Sequence, residues 1–162
     1  MTNAALAVAS STLNPWIVAA RAAAIDVIDQ ALSLSSRVIE DAAVPSSTMG
    51  ALIPIVSEMA PVQIGLFSDE AGCQAMARAL LYCGPNDPLT RAEMIDAMSE
   101  LVNMLAGSVK ARVARYASHA ALGLPTFVHG PVEASSSTVV ETVPLQVGDA
   151  VALVVMARTV DG

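Results

Sequence analysis

The spacing of apolar and polar positions predicts two helices in the first half of the chain. The first is expected to open at Asn14-Pro15, an N-cap side chain followed by proline at the first helical position, and to run to about Ser35. The second has Ser68 as its predicted N-cap and Gly84-Pro85 as its end. Its apolar positions are spaced i, i+3, i+4, i+7 and i+8, which is typical of one helix face, and they are Cys73, Met76, Ala77, Leu80 and Leu81.

A third, longer helix is predicted from its start signal. Thr90 and Glu93 have the spacing of a capping box, in which the two side chains satisfy each other's backbone N–H groups. The helical pattern continues to about His119 and ends before Gly123.

The remaining apolar runs are short and predict strands joined by turns. The predicted strands are 37–43, 51–57, 62–67, 126–129, 138–143 and 150–158, with turns at 45–50 and 58–61. Pro54 indicates an edge or a bulge, and the apolar run 150–158 is expected to be a central strand. The pattern therefore predicts an α+β fold in which an antiparallel β-sheet packs against long α-helices. Residues 1–12 are interpreted as a flexible leader and 13–162 as a single domain.

Composition narrows the function classes. The chain has 162 residues and a net charge of −7, and no basic stripe is apparent, so we expect no nucleic-acid or anionic-membrane binding. The start lacks a basic region and a long apolar run, and the most apolar stretch, 150–157, is too short to span a bilayer. Cys73 and Cys83 have no histidine at ligand spacing, which favours two reduced thiols and no metal site. We therefore expect a cytoplasmic protein.

The third helix has two different sides. A helical wheel places one set of apolar residues together, with Ile95 and Val102 on its flank: Met94, Met98, Leu101, Leu105, Val109 and Tyr116. Opposite them is a narrow stripe, spaced 4, 3, 4 and 3 residues apart: Asp96, Glu100, Asn103, Gly107 and Lys110. We label this third predicted helix α3 and call these five residues the α3 stripe.

A solvated helix face is the simplest explanation of such a stripe, but Gly107 argues against it. Glycine inside a helix costs about 1 kcal/mol relative to alanine, and a face that only meets water gains nothing from it. Glycine does permit the close approach of another backbone. Packing within the chain would also explain the glycine, although Gly107 points away from the apolar side.

The stripe and the residues after it resemble the signature of the CheC, CheX and FliY chemotaxis phosphatases. That signature is Asp or Ser, three residues, Glu, two residues, Asn, twenty-one residues and Pro, and here it is matched by Asp96, Glu100, Asn103 and Pro125. The likeness continues through Gly107 and Lys110 and covers roughly 13–158. Family members with two catalytic sites carry the signature twice. In the first half of this chain, only the two aspartates within 26–29 resemble it. No asparagine fills the second place, and alanine at 51 stands where the proline would be. One site, as in the CheX branch, is therefore expected.

The resemblance implies an activity, a partner and residue roles. The activity is hydrolysis of the aspartyl phosphate on a CheY-type response regulator, with Asn103 orienting the attacking water and Glu100 pairing with the regulator's active-site lysine. Asp96, Gly107 and Lys110 are expected to contact the partner, and Pro125 to shape a loop. No cofactor of its own is implied, since Mg²⁺ belongs to the phosphorylated regulator, and a homodimer is expected.

Two alternatives remain open at this stage. One is a non-catalytic module that binds a response regulator or serves in a flagellar switch, and the other is an ordinary interaction domain with a solvated stripe. His119 and His129 have no serine or cysteine nucleophile at motif spacing, so we interpret them as structural or solvent-facing.

Overall fold

The protein is described by a computed structural model that covers residues 3–40, 42, 47–58, 61–130 and 135–160, with side chains from Pro15 onward. Within these ranges the chain forms three helices and seven strands. Their bounds are α1 (Asn3–Leu32), β1 (Ser36–Val38), β2 (Met49–Val56), β3 (Val62–Ser68), α2 (Glu70–Leu80), α3 (Arg91–Arg112), β4 (Ala121–Leu122), β5 (Thr126–His129), β6 (Thr138–Val147) and β7 (Ala150–Thr159).

The strands form one antiparallel sheet in the order β1-β6-β7-β3-β2-β4, with β5 also paired to β2. The predicted central position of the last strand is confirmed, because β7 pairs with β6 on one side and β3 on the other. Its middle residues, 152–156, are all buried, as expected of a strand between two neighbours. The predicted α+β class, with an antiparallel sheet against helices, is likewise confirmed.

All three helices pack on one face of the sheet. Alternate residues of the inner strands, such as Ile64 in β3 and Val154 in β7, join the helices in one core cluster. Residues an odd number of positions further along the same strands, Phe67 and Val155, belong to a smaller cluster on the opposite face. Side chains alternate between the faces of a strand, so this separation shows which face each helix covers.

Pro54 lies where the pairing of β2 changes partner. Residues 49–52 of β2 pair with β5 and residues 55–56 pair with β4, so Pro54 falls between the two short strands. Proline has no N–H to donate to a continuous ladder, which explains why the pairing breaks here. Its carbonyl oxygen accepts a hydrogen bond from the Gly123 N–H at 2.9 Å. This contact holds the segment that leads to Pro125 beside β2.

The predicted start of the first helix is wrong. The helix begins at Asn3, and Pro15 lies inside it. The alanine-rich run at 4–9 consists of strong helix formers, which explains continuation of the helix upstream of the cap-like pair. The helix ends at Leu32, before the predicted Ser35, because Ser33 adopts a left-handed conformation with φ of 52°. The flexibility of 1–12 and the extent of the single domain stay predictions.

The predicted boundaries of the second helix also need correction. Asp69, not Ser68, is the N-cap, and its carboxylate accepts a hydrogen bond from the Gly72 N–H at 2.7 Å. The Ser68 hydroxyl instead donates to the Val151 carbonyl, so it is used by the sheet. Helix α2 stops before Gly84-Pro85, because Tyr82 takes the left-handed conformation with φ of 55°. Leu81, predicted on the apolar face, is 43% exposed.

The capping box of the third helix is confirmed. The Thr90 side chain accepts from the Glu93 N–H, and the Glu93 carboxylate accepts from the Thr90 N–H at 2.7 Å. That backbone hydrogen bond, strengthened by the Thr90 hydroxyl, lowers the pKa of Glu93. The helix ends at Arg112 and not at His119, so Tyr116 lies in the turn beyond it and is exposed instead of buried.

The strand predictions were right in position and wrong at several ends. Strand β6 continues to Val147 and so includes Pro144, and the two-residue β4 was not predicted. Strand β1 is Ser36–Val38, shorter than the predicted 37–43. Part of the predicted turn at 45–50 is wrong, because Met49 and Gly50 begin β2. Parts of three predicted elements lie outside the described residues, and these elements are the strand at 37–43 and the turns at 45–50 and 58–61. The residues concerned are 41, 43–46 and 59–60.

Candidate catalytic face of the third helix

The buried side of α3 fixes the helix against the sheet. Its packing follows the predicted wheel, and its buried residues are Met94, Ala97, Met98, Leu101, Val102, Leu105, Ala106 and Val109. Ile95, on the flank, is only partly buried. Side chains packed this densely leave a helix little freedom to rotate, so the orientation of its opposite face is set by the core.

The α3 stripe lies on that opposite face. Asp96, Glu100, Asn103 and Lys110 are all exposed, and Gly107 is partly exposed. Glu100 and Asn103 are three residues apart, which separates them by about 4.5 Å along the helix axis and roughly 60° around it. The two side chains can therefore reach one partner surface together. The structure thus brings the five predicted positions onto one accessible face.

The polar side chains of the stripe are not engaged by the described part of the chain. No hydrogen bond or ion pair among the described residues involves the side chain of Asp96, Glu100, Asn103 or Lys110. An exposed amide and an exposed carboxylate that make no contact of their own can bind an incoming group without first breaking one.

Gly107 faces open space. A Cβ atom built at this position would meet nothing within 4 Å. Close packing inside the chain therefore does not account for the glycine, although the sequence alone left that explanation open. A glycine would permit the close approach of a partner, and this role of Gly107 stays a prediction.

Pro125 lies in the connection between β4 and β5. Both strands pair with β2 and both contact α3, so the connection runs beside the third helix. The structure does not test whether Pro125 shapes this loop for the site, and that role stays a prediction.

The two aspartates of α1 that resemble part of the signature, Asp26 and Asp29, make contacts within the chain. Asp26 of α1 forms an ion pair with Arg112 of α3. The Asp29 carboxylate accepts hydrogen bonds from both the N–H and the hydroxyl of Ser36, at 2.8 and 2.6 Å. Ala51, at the position corresponding to the signature proline, is buried in β2. These contacts give the two aspartates structural tasks, while the presence of a single site stays a prediction.

One polar cluster was missed by the sequence reasoning. The Ser118 hydroxyl lies 3.1 Å from Nδ1 of His119 and 3.4 Å from a carboxylate oxygen of Glu58. A hydrogen bond from its own backbone N–H, followed by the charge of His119, lowers the pKa of Glu58. The carboxylate approaches the same ring nitrogen as the hydroxyl, so the arrangement lacks the acid–base–nucleophile order of a catalytic triad. Nothing in the sequence signals this cluster, because its members are about sixty positions apart in the chain.

The two cysteines should differ in reactivity. Burial raises the pKa of the Cys73 thiol to about 12, whereas Cys83 is only partly buried. Because the thiolate is the reactive form, we expect a thiol reagent at pH 8 to modify Cys83 in the native protein and Cys73 only after unfolding. A colorimetric thiol count with and without denaturant checks this. Rapid modification of two thiols in the native state would contradict it.

Among the described residues, no group of three or more His, Cys, Asp or Glu side chains is arranged to hold a metal ion. None of the three described helices has the length and apolarity needed to cross a membrane.

The fold and the site together define a class of protein. Its members have an antiparallel α+β fold and display a Glu-x-x-Asn pair on a helix that packs against the sheet. The family model described as chemotaxis phosphatase CheX matches residues 49–143, which is more than half of the chain. The chain therefore belongs to the CheX family, and the expected family is confirmed. No curated protein sequence matches the chain.

Solved structures agree with this assignment at the level of fold. The chemotaxis protein CheX from Vibrio vulnificus is 18% identical with a TM-score of 0.67, over 89% of this chain and 93% of that one. A CheC-like superfamily protein from Shewanella sp. PV-4 is 16% identical with a TM-score of 0.68, over 88% and 96% of the two chains. A chain of the CheX–CheY–BeF3–Mg²⁺ complex from Borrelia burgdorferi is 14% identical with a TM-score of 0.64, over 92% and 97%.

Proposed function

We propose that this protein accelerates hydrolysis of the aspartyl phosphate on a CheY-type response regulator. The observation that carries the proposal is the pair formed by Glu100 and Asn103. Both are exposed on one face of a helix whose other face is locked in the core, and neither is engaged by the described residues. A decayed site would be expected to have lost one of the two.

The proposed step needs little covalent chemistry from this protein. A water oxygen attacks the phosphorus, the bond from phosphorus to the aspartyl oxygen breaks, and the products are the regulator's free carboxylate and inorganic phosphate. The protons of the water pass to the phosphate and to solvent. Phosphoryl transfer of this kind depends mainly on positioning and charge stabilisation, so a group that holds the water in line can suffice.

Asn103 has the chemistry of an orienting group. Its carboxamide oxygen accepts a hydrogen bond from water and its NH₂ group donates another, and it carries no charge that would repel the phosphoryl oxygens. A carboxylate in the same place would be repelled by them. The neutral amide is therefore the better choice for a water that lies beside an anionic phosphate.

Glu100 has a different task in the proposed complex. It lies about one helical turn before Asn103, where a carboxylate can pair with a cation at the rim of the regulator's pocket. The regulator's active-site lysine is that cation by family resemblance. This charge pair would hold the helix in place while Asn103 acts, with Asp96 and Lys110 contacting the regulator further along the stripe.

The CheX–CheY complex from Borrelia burgdorferi supports a CheY-type partner for this chain. The Mg²⁺ that phosphoryl transfer requires would be supplied by the regulator, so this protein should need no cofactor of its own. We also propose a cytoplasmic location for the protein, because a partner of this kind acts in the cytoplasm.

The test is a dephosphorylation assay. The purified protein is mixed with each phosphorylated CheY-type regulator from the same organism, and phosphate release is compared with spontaneous decay. We expect at least one regulator to lose its phosphate faster. Binding of a phosphorylated regulator without any acceleration would instead favour the non-catalytic binding or flagellar-switch module, and acceleration of none of them would reject the phosphatase.

A homodimer is part of the proposal. At one side of the sheet β1 is only three residues long and pairs with 145–147 of the ten-residue β6. Among the described residues, the first half of β6 therefore lies at the sheet boundary. A second copy could add its own strand there. Light scattering at micromolar concentration should give twice the chain mass, and a monomer mass would contradict the dimer.

A further inference from the structure

Met104 differs from the other described methionines in its exposure to solvent. The chain has eight methionines, and all except Met1 and Met59 lie among the residues whose side chains are described. Met104 is 37% exposed and belongs to neither core cluster. The remaining five are at most 2% exposed, and they are Met49, Met76, Met94, Met98 and Met156. Among the described methionines, an oxidant in solution therefore meets Met104 first.

Met104 borders the α3 stripe. It follows Asn103 directly in the chain, four residues after Glu100 and three before Gly107. Residues with spacings of three and four are neighbours on a helix surface, with Cβ atoms about 5–6 Å apart. A long side chain on a helix also points back towards the N-terminus, which directs Met104 towards Glu100. Its thioether therefore lies at the edge of the surface that is proposed to meet the regulator.

Gly107 leaves one side of Met104 uncovered. A Cβ atom built at Gly107 would meet nothing within 4 Å, so no described side chain, including that of Met104, fills the space beside it. A larger residue at position 107 would stand between solvent and the Met104 side chain, because positions three apart are neighbours on the helix. The glycine therefore keeps this route to the sulfur atom open.

The other described sulfur atoms do not adjoin the α3 stripe along the helix. Cys73 is buried inside α2, and burial raises the pKa of its thiol to about 12. Cys83 is partly buried and lies in the loop that follows α2. On α3 itself, Met94 and Met98 belong to the buried side. The sulfur next to the stripe on the exposed side of α3 is that of Met104.

A thioether reacts with a peroxide without help from other residues. The sulfur lone pair attacks one peroxide oxygen, the S–O bond forms and the O–O bond breaks. The departing hydroxide takes up the proton of the transferred oxygen and becomes water. Sulfur thereby loses two electrons, and the peroxide gains them. The product is a sulfoxide, which is polar and chiral where the thioether was apolar, and methionine sulfoxide reductases convert it back.

An exposed methionine on a helix needs no function by itself. Methionine is a strong helix former, and single apolar side chains on protein surfaces are common. The position of Met104 adds a consequence, because a change of polarity there occurs beside the surface that is proposed to dock the regulator. A polar sulfoxide covered by a partner loses its hydrogen bonds to water, which is unfavourable unless the partner replaces them.

We propose that Met104 is a site of reversible oxidation by peroxide, and that its sulfoxide weakens docking of the response regulator on α3. The effect on docking rests on the proposed function, since the regulator is the partner that docks. The five buried methionines are protected by the core and take no part. Under oxidising conditions the phosphatase would slow, and the regulator would stay phosphorylated for longer.

The first experiment locates the oxidation. The purified protein is treated with millimolar hydrogen peroxide, and peptide mass spectrometry follows the addition of one oxygen to each methionine. We expect Met104 to be oxidised before the five buried methionines, and a regulator activated with beryllofluoride and Mg²⁺ to slow its oxidation several-fold. Oxidation of Met104 no faster than that of the buried methionines would overturn the modification site. An unchanged rate in the complex would overturn its place at the docking surface.

The second experiment measures the consequence for dephosphorylation. Oxidised wild type should show a KM for the regulator raised about tenfold, with the maximal rate within about twofold of the untreated protein. Sulfoxide reductases for both epimers should restore the KM. Met104→Gln places a permanently polar side chain of similar length there and should also raise KM. Leu81→Gln makes a comparable change at an exposed leucine at the end of α2 and should leave KM unchanged. Thermal melts verify that each protein is folded.

Met104→Leu separates this sulfur from the others. It keeps an apolar side chain without the thioether, so its own KM should be the same before and after peroxide treatment. The variant retains Cys83, so an equal loss on treatment would assign the effect to another residue and overturn the proposal, as would an unchanged KM in fully oxidised wild type. A wild type that neither binds nor dephosphorylates any regulator would reject the proposed function and the effect on docking with it. The order of oxidation is measured without a regulator and therefore tests the modification site separately.

Discussion

Asn103→Ala is expected to lower the maximal rate of regulator dephosphorylation about 100-fold or more, with little change in regulator affinity. The side chain is exposed and makes no hydrogen bond with the described part of the chain, so its loss should leave the fold unchanged. If the amide orients the attacking water, its contribution exists chiefly in the transition state and appears in the maximal rate. Phosphate release from a saturating concentration of phosphorylated regulator measures it.

Asn103→Asp makes the test sharper. The change keeps size and shape but adds a negative charge beside the phosphoryl oxygens, so activity should again fall to near the spontaneous rate. Asn86→Asp, the same change at an exposed loop position between α2 and α3, controls for net charge and should be fully active. Wild-type activity in both Asn103 variants would remove the proposed mechanism.

Glu100→Ala should show a different kinetic pattern from the Asn103 variants. It removes a charge pair across the interface, so complex formation should weaken along with the rate, and the defect should lessen as regulator concentration rises. Asn103→Ala, Asn103→Asp and Glu100→Ala could all lose binding to the regulator while the wild-type protein shows no catalysis. In that case the non-catalytic binding module is the better description.

Gly107→Ala is expected to act in opposite directions on stability and on docking. The added methyl group meets nothing within 4 Å, and alanine is favoured over glycine inside a helix by about 1 kcal/mol, so the free energy of unfolding should rise by about that amount. In the complex the same methyl group would occupy the space into which the regulator approaches, so KM should rise. Denaturant melts and the dephosphorylation assay measure the two effects.

A larger side chain should amplify the docking effect. Gly107→Leu would hold the regulator away from Asn103, and a misplacement of about 1 Å can cost on the order of 100-fold in rate, so kcat/KM should fall by about that factor. Ala75→Leu, at an exposed position of α2, is the matched control. A destabilised Gly107→Ala would indicate a structural glycine, and full activity of Gly107→Leu would show that no partner approaches there.

The start of α3 and its division into a buried and an exposed side were predictable, because both depend on residues that are close together in the sequence. The capping box depends on Thr90 and Glu93, three residues apart, and the separation of the buried side from the α3 stripe depends only on the helical repeat. The same repeat is enough to place Glu100 and Asn103 on one accessible face. The ends of the helices were less predictable, because Ser33 and Tyr82 stop α1 and α2 in a left-handed conformation that their residue types rarely adopt.

The sequence by itself determined the fold class, the family and the composition of the α3 stripe, since each follows from periodicity or from a short motif. Only the tertiary structure decided that Gly107 faces open space and that Asp26 pairs with Arg112, 86 positions further along the chain. The physical reason is distance along the chain. These features depend on side chains that are remote in sequence, and their contacts exist only once α1 and α3 have packed together on the sheet.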